Sequence, residues 1–380
     1  MLLKRQSGAV SNNVFDKESS VAIKGIAILM MILHHNFREP YLYENIAVSF
    51  APFSDVWITN IARMCKICAS LFAFISGYGL FLSCRKKSIS ADKWALDRYI
   101  SSFSGFWFVW VVFSVMTQLA NGRFAKIFFR DGLCTGLIEI IIDFSGTAKL
   151  FGTPTLNGTW WYMSAAAVFI LLIAIGYNQI RKNPLIVVLT FVVFTRVIFE
   201  GRESSAYTGE NSVYTFIPIL LMGAVCANCG LLDKFLSFGN KTIPQKTIKF
   251  IFESLALLLF YKIYKAVPED RFWEIKFCMI PMLVIVFYAE FIITIPHLRN
   301  VLIFLGRHSA NIFMVHTFYR AYYLHDFIYS WKHFLLISAV LLLISIITSI
   351  IIEWMKRITR FNVFVTRLRS RVTSGIALKC

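Results

Sequence analysis

The chain has 380 residues, of which 57% are apolar and 16% are charged, and its mean hydropathy is +0.65. Soluble domains carry about 25% charged residues. The apolar residues come in repeated blocks of roughly 17 to 25 residues, the length that crosses a bilayer as a helix. The composition therefore indicates an integral membrane protein and excludes the disordered, fibrous and small secreted classes.

The net charge of +18 is interpreted first as a topology signal. In a protein with many spans, Lys and Arg are held in the cytoplasmic segments, so a basic balance does not by itself indicate nucleic acid. We therefore expect no nucleic-acid partner.

Eight cysteines are present, and two close pairs stand out, Cys65 with Cys68 and Cys226 with Cys229. Each pair lies in or beside an apolar block without neighbouring His or Asp residues that would complete a metal site. Small, polarizable packing residues are the favoured interpretation, and no metal is predicted.

Apolar blocks bounded by charges and turn residues predict an all-α, polytopic transmembrane bundle of about ten helices. No small-residue cleavage site follows the first block, so we interpret it as a retained helix. Residues Leu133 to Phe144 are too short to cross and are interpreted as a re-entrant or interfacial segment. They belong to the long connection 120–159, which we expect to cap the external mouth. The predicted spans are 21–37, 58–82, 99–119, 160–180, 184–199, 213–230, 248–265, 275–295, 301–324 and 333–354.

The distribution of basic residues predicts that both termini are cytoplasmic. With ten spans and the N-terminus inside, cytoplasmic segments hold 24 of the 39 Lys and Arg residues, against nine in the external segments. A full crossing by Leu133 to Phe144 would place the basic tail outside, against the rule. The predicted organisation is a cytoplasmic segment 1–20, a transmembrane domain 21–355 and a basic cytoplasmic tail 356–380.

The first predicted helix carries two ionisable residues on one face. Lys24 and His35 are eleven residues apart, which leaves them about 20° from alignment and roughly 16 Å apart along the axis. Ionisable side chains at membrane depth usually face a bundle interior or an aqueous cavity. A snorkelling lysine with an interfacial histidine is the alternative interpretation.

Further polar groups fall on the same external half as His35, and together they suggest a wet cavity there. They are Arg63, Lys66, Arg196, Glu200, His316 and Arg320.

The loop after the second predicted span is strongly basic. Five cations at the cytoplasmic face suit an anionic donor such as a coenzyme A phosphate, although positive-inside topology requires the same charges. The five are Arg85, Lys86, Lys87, Lys93 and Arg98.

Five sequence pieces, in order, carry a resemblance to a known family. They are KGIAILMMILHH, LFAFISGYGLFLSCRKK, NGTWWYM, TFIPILLMGAVCANCGLLD and FLGRHSANIFMVH, and they run from Lys24 to His316. The chain resembles the acyltransferase-3 family of membrane acyltransferases, which includes bacterial O-acetyltransferases of surface polysaccharides.

The resemblance assigns roles to residues. His35 stands at the position of the family's catalytic histidine and Lys24 at that of its basic residue, where Arg is more usual. Arg98 matches the first of two paired arginines, but Ser101 stands at the second position. The stretch WWYMSAAAV lacks the carboxylate that some members have.

The resemblance implies that cytosolic acetyl-CoA is the acyl donor and that a hydroxyl of a cell-surface or exported glycan is the acceptor. It also implies a multi-pass protein of the bacterial cytoplasmic membrane. His35 acts as general base or as acyl carrier, and His316 orients the acceptor or its base. Donor phosphates would be held by Arg98 with Arg85, Lys86 and Lys87, with Lys24 lining the path below His35.

Two other classes of function remain open on the sequence. The same histidines and arginines would suit a transporter or flippase for a polar glycolipid, although no internal repeat is visible. A non-catalytic membrane sensor or assembly factor is the third interpretation.

Overall fold

The computed structural model describes residues 15–86, 89–199, 213–240, 242–266 and 275–374. These residues form helices joined by turns, with one isolated bridge between Ser49 and His333 and no named strand among them. The predicted all-α class is confirmed.

The helices follow one another closely along the chain. They are α1 (Lys17–Phe37), α2 (Asp55–Met64), α3 (Cys68–Arg85), α4 (Ala91–Asn121), α5 (Arg123–Phe128), α6 (Leu133–Phe144), α7 (Ala148–Phe151), α8 (Trp161–Lys182), α9 (Pro184–Phe199), α10 (Ile217–Cys229), α11 (Leu231–Ser237), α12 (Ile243–Ala266), α13 (Ile280–Phe287), α14 (Pro296–Thr317), α15 (His325–Tyr329), α16 (Phe334–Ile358) and α17 (Phe361–Ser374).

A helix lies at each of the ten predicted spans, but the count of ten crossings is not confirmed. In the described part of the chain, six helical stretches are long and apolar enough to cross, and a pair bent by 72° makes a seventh candidate. α9 and α10 are short, and α14 carries several ionisable side chains along its length. The six stretches are Lys17–Phe37, Asp55–Arg85, Ala91–Asn121, Gly158–Lys182, Ile275–Ile292 and Phe334–Ile358, and the bent pair is Tyr214–Cys229 with Leu231–Ser237.

Ion pairs identify one end of the bundle, which we call the tail end. Arg299 at the start of α14 pairs with Glu18 in the first turn of α1, at 2.9 Å. Arg369 of α17 pairs with Asp97 in the first turns of α4, at 2.8 Å. Asn311 of α14 donates to Glu353 near the end of α16 at 3.0 Å, and α17 follows α16 directly. The starts of α1, α4 and α14 and the end of α16 therefore lie together. The opposite end, which carries residues 122–158, is called the loop end.

The long connection at the loop end is folded. It contains the short helices α5, α6 and α7, and α6 has only 12 residues. At 1.5 Å per residue α6 is about 18 Å long, too short to cross the roughly 30 Å hydrocarbon layer. The indole of Trp110 in α4 donates to Asp143 of α6 at 2.9 Å, which ties the connection to the bundle.

Glycines allow the central helices to cross at backbone contact. A Cβ added at Gly25 in α1 would collide with the carbonyl oxygen of Leu302 in α14, and one added at Gly306 in α14 would collide with that of Val21. Because each glycine admits the backbone of the other helix, α1 and α14 lie in direct contact. Gly77 of α3 and Gly223 of α10 form a second crossing of the same kind.

Candidate active site

A cavity of about 490 Å³ lies at the centre of the bundle. Its walls come from α1, α3, α4, α8, α14 and α16, together with the start of α17. On α1 the lining residues include Lys24, Met31 and His35, which are spaced so that they share one helical face. The cavity thus links the two ionisable positions that the sequence placed on one face.

His35 lies towards the loop end of the cavity and is only partly buried. Its ring centroid is 4.9 Å from that of His316 and 5.1 Å from that of His34. Neither ring nitrogen of His35 makes a hydrogen bond to any residue that the structure describes. An imidazole with free nitrogens beside a cavity is able to take a proton from a bound hydroxyl or to attack an acyl carbon.

His316 contacts the ring of His35 but does not line the cavity. Its side chain is fully buried, and Nδ1 lies 2.8 Å from the carbonyl oxygen of Phe313. Since a carbonyl only accepts, Nδ1 carries the hydrogen, which leaves Nε2 to accept from the hydroxyl of Thr317 at 3.1 Å. The ring of His316 is thereby fixed in one tautomer and orientation.

The other ionisable groups near His35 are also anchored. His34 is buried and donates from Nδ1 to the carbonyl oxygen of Ala62 at 2.9 Å. Lys66, 4% exposed, places its Nζ 5.4 Å from the centre of a Trp161 ring. A cation and two fixed imidazoles therefore surround the free ring of His35.

Three cations converge on the cavity towards the tail end. Lys24 of α1, Arg307 of α14 and Lys356 of α16 all line it. Glu353, the single carboxylate among the lining residues, lies 2.8 Å from Nζ of Lys356 and accepts from the amide of Asn311 at 3.0 Å. With Lys66 included, four cations face one carboxylate, so the cavity favours an anionic ligand.

Comparison with known proteins supplies the family. A family model described as an acyltransferase domain, acyltransferase-3, matches residues 20–354. The chain belongs to the acyltransferase-3 family. No curated protein and no solved structure matches the chain. Because the match covers nearly the whole helical bundle, this acyltransferase-3 member is a membrane acyltransferase.

Of the four basic residues expected to hold the donor phosphates, the three that the structure describes do not line the cavity of this family member, whereas Lys24 does. Arg85 and Lys86 are exposed at the end of α3, and Lys87 lies outside the described residues. Arg98 pairs at 3.3 Å with Asp97. Ser101, at the position where the resemblance predicts a second arginine, does line the cavity.

Sequence reasoning missed Arg307 and Lys356. From the sequence alone, Arg307 is one of the basic residues that set the topology, and Lys356 belongs to the basic tail. The available signal was local, because Arg307 and Asn311 are four residues apart and Glu353 and Lys356 are three apart, so each pair shares a helical face. Nothing in the sequence says that these two faces meet α1 at Lys24.

The other predicted external-side residues divide into two groups. Lys66 lines the cavity, and His316 touches His35. Arg63 is exposed and pairs with Glu39 at 2.9 Å. Arg320 is buried outside the cavity lining, whereas the Arg196 side chain and Glu200 lie outside the described residues.

Among the described residues, no group of three or more His, Cys, Asp or Glu side chains is arranged to hold a metal ion.

Proposed function

We propose that this acyltransferase moves an acetyl group from cytosolic acetyl-CoA to a hydroxyl of a cell-surface or exported polysaccharide, with His35 as its catalytic residue. The bundle would lie in a bacterial cytoplasmic membrane with the tail end facing the cytosol, where acetyl-CoA is available and where the basic residues concentrate.

One observation carries the proposal. A single cavity holds His35, whose nitrogens have no described partner, and a cluster of Lys24, Arg307 and Lys356 closer to the tail end. Eleven residues of α1 separate Lys24 from His35, which is roughly 16 Å along the helix. Acetyl-CoA carries anionic phosphates at one end and its thioester at the other, on a long thin arm. This shape matches the distance between the cation cluster and His35.

The transfer needs one proton acceptor and no redox step. The hydroxyl oxygen of the acceptor forms a bond to the acetyl carbon while the thioester C–S bond breaks. The hydroxyl proton passes to a ring nitrogen of His35 and then to the departing thiolate, so the products are an ester and the free thiol of coenzyme A. On the second route a ring nitrogen of His35 bonds to the acetyl carbon while the C–S bond breaks and the thiolate departs. The hydroxyl oxygen then bonds to the acetyl carbon as the bond to the ring nitrogen breaks, and the hydroxyl proton passes to the thiolate.

In either route Lys66, at the same end of the cavity, supports the negative charge that develops on the acyl oxygen. A fixed cation in a site shielded from water stabilises such charge strongly. His316 acts as a positioning residue because it packs against the ring of His35 without lining the cavity.

The experiment is transfer of radiolabel from [¹⁴C]acetyl-CoA in membranes with and without the protein. We expect protein-dependent label in the glycan fraction, released as acetate by mild base and diluted by unlabelled acetyl-CoA. No protein-dependent label, with the protein inserted and the glycan present, is the result expected of a glycolipid transporter and would contradict the proposal.

A further inference from the structure

A second cavity lies beside the first at the loop end. Its volume is about 260 Å³, just below the roughly 300 to 1,000 Å³ range of pockets for drug-sized ligands, so it suits one ring-sized group. Its walls come from α4, from α6 and α7 with the turns that follow them, and from the start of α8. The sequence alone does not indicate any residue of this cavity as a site residue.

The lining combines opposite charges, hydroxyls and flat aromatic rings. Asp143 and Lys149 supply a carboxylate and an ammonium, and Thr153 and Thr155 supply hydroxyls. The indoles of Trp160 and Trp161 add aromatic surface. Because the one cation and the one anion balance, the cavity does not favour a strongly charged ligand. Its hydrogen-bond donors and acceptors and its aromatic faces match a ring that has hydroxyls on its edge and C–H groups on its faces.

The carboxylate is held in place before any ligand binds. Oδ2 of Asp143 accepts from the indole of Trp110 at 2.9 Å and from the backbone N–H of Leu156 at 3.2 Å. Its side chain is buried, and this burial raises the pKa of the Asp143 carboxyl, against the opposing effect of its hydrogen bonds. A fixed acceptor in a small cavity is the arrangement that orients a hydroxylated ligand.

The two cavities share a wall. Phe106 and Trp161 line both cavities. Thr159 lines the first cavity, whereas its sequence neighbours Gly158 and Trp160 line the second. The indole of Trp160 donates to the carbonyl oxygen of Met314 in α14 at 3.1 Å, which fixes this wall against the helix that carries His316. A ring in the second cavity therefore lies next to the cavity that contains His35.

We infer that the second cavity seats one sugar ring of the acceptor and presents its hydroxyl towards His35. The inference rests on the proposed function for the reaction, but binding of the sugar is a separate property that can be measured without any donor.

The test measures saturation transfer in NMR from the purified, detergent-solubilised protein to methyl glycosides of glucose, galactose, mannose, rhamnose and N-acetylglucosamine. Asp143→Asn and Lys149→Met are the site variants. The Lys149 side chain makes no hydrogen bond or ion pair to the described residues. We therefore expect the Lys149→Met protein to fold even where the Asp143→Asn protein does not. Lys126→Met, an exposed lysine of the same connection outside both cavities, is the matched control.

We expect saturation transfer to at least one glycoside with the wild type and the control, and at least a fivefold weaker signal with Lys149→Met. Equal signals from all variants, or no signal from any glycoside, would overturn the inference.

A second arm separates this inference from the proposed function. Binding that depends on Lys149, without any acetyl transfer, would refute the proposed function and leave the sugar site standing. Acetyl transfer whose acceptor KM is the same in the wild type and Lys149→Met would refute the sugar site and leave the proposed function standing.

Discussion

His35 differs from its neighbours in what its ring nitrogens do. Those of His34 and His316 contact backbone carbonyls or neighbouring side chains, whereas both nitrogens of His35 are without a hydrogen bond to the described residues. A reactive imidazole must keep a lone pair for the substrate, and a fixed neighbour must keep its orientation. In the proposed mechanism the three histidines therefore divide into one reactive ring and two supports.

Removing the support behind His35 tests this division. For His316→Phe, which keeps a ring of similar size, we expect kcat to fall by about tenfold or more while the KM for acetyl-CoA stays within twofold, because only the orientation of His35 is lost. The measurement is steady-state transfer in detergent or nanodiscs. A raised donor KM with unchanged kcat would show that His316 belongs to the donor site instead.

The cations at the tail end of the cavity make a second prediction at this scale. A lost ion pair with a phosphate costs about 1.5 to 3 kcal/mol, so Arg307→Met raises the KM for acetyl-CoA by about tenfold or more, and Lys356→Met does the same. Arg181→Met is the matched control, since Arg181 is an exposed residue in the last turn of α8 outside the cavity.

The donor itself supplies a sharper comparison. Acetyl-pantetheine lacks the phosphates, so its KM should be high with the wild type and nearly unaffected by Arg307→Met. Equal effects of this substitution on both donors would mean that Arg307 does not contact phosphate.

At the scale of helices, the crossing of α1 and α14 determines the geometry of the site. Gly25 follows Lys24, and Gly306 precedes Arg307, so backbone contact occurs beside the residues that line the cavity. A side chain at either glycine would collide with the backbone of the other helix, so the two helices would have to move apart.

Gly25→Ala is therefore expected to destabilise the protein. Overpacking costs about 1 to 3 kcal/mol, and the atom that blocks the new methyl group is backbone, which cannot rotate away. Thermal unfolding in detergent should show a lower melting temperature. Gly79→Ala in α3 is the control, because a Cβ there meets nothing within 4 Å and alanine favours the helix. A melting temperature for Gly25→Ala equal to that of Gly79→Ala would refute the close crossing.

The sequence predicted much at the scale of helices and less at the scale of contacts. Apolar blocks located a helix at every predicted span, and α-helical periodicity placed Lys24 and His35 on one face. It was local spacing that made these inferences possible. The meeting of α1 with α14 and α16 depends on packing between segments far apart in sequence, so Arg307, Lys356 and the second cavity were not predictable from spacing.

For the molecule as a whole, charge asymmetry predicts the orientation in the membrane. The starts of α1, α4 and α14 lie with the end of α16 at the tail end, and the basic helix α17 lies there too. Positive charge is retained on the cytoplasmic side, so we expect this end to face the cytosol.

Reporter fusions check the orientation directly. We expect green fluorescent protein fused after Cys380 to fluoresce and alkaline phosphatase fused there to be inactive, with the opposite pattern for fusions between α5 and α6. Active alkaline phosphatase at the C-terminus would place the donor cavity on the wrong side for cytosolic acetyl-CoA.

The central proposal for the whole molecule is that His35 transfers acetyl from a cytosolic donor to a glycan hydroxyl. It rests on the cavity, the free imidazole and the cation cluster. The most direct measurement is transfer of [¹⁴C]acetyl to base-labile glycan ester by membranes that contain equal amounts of wild type, His35→Ala or His297→Ala. His297 is exposed and lies outside both cavities, so its variant controls for loss of a histidine. We expect wild-type label with His297→Ala and none above background with His35→Ala. Substantial label with inserted His35→Ala would contradict the account.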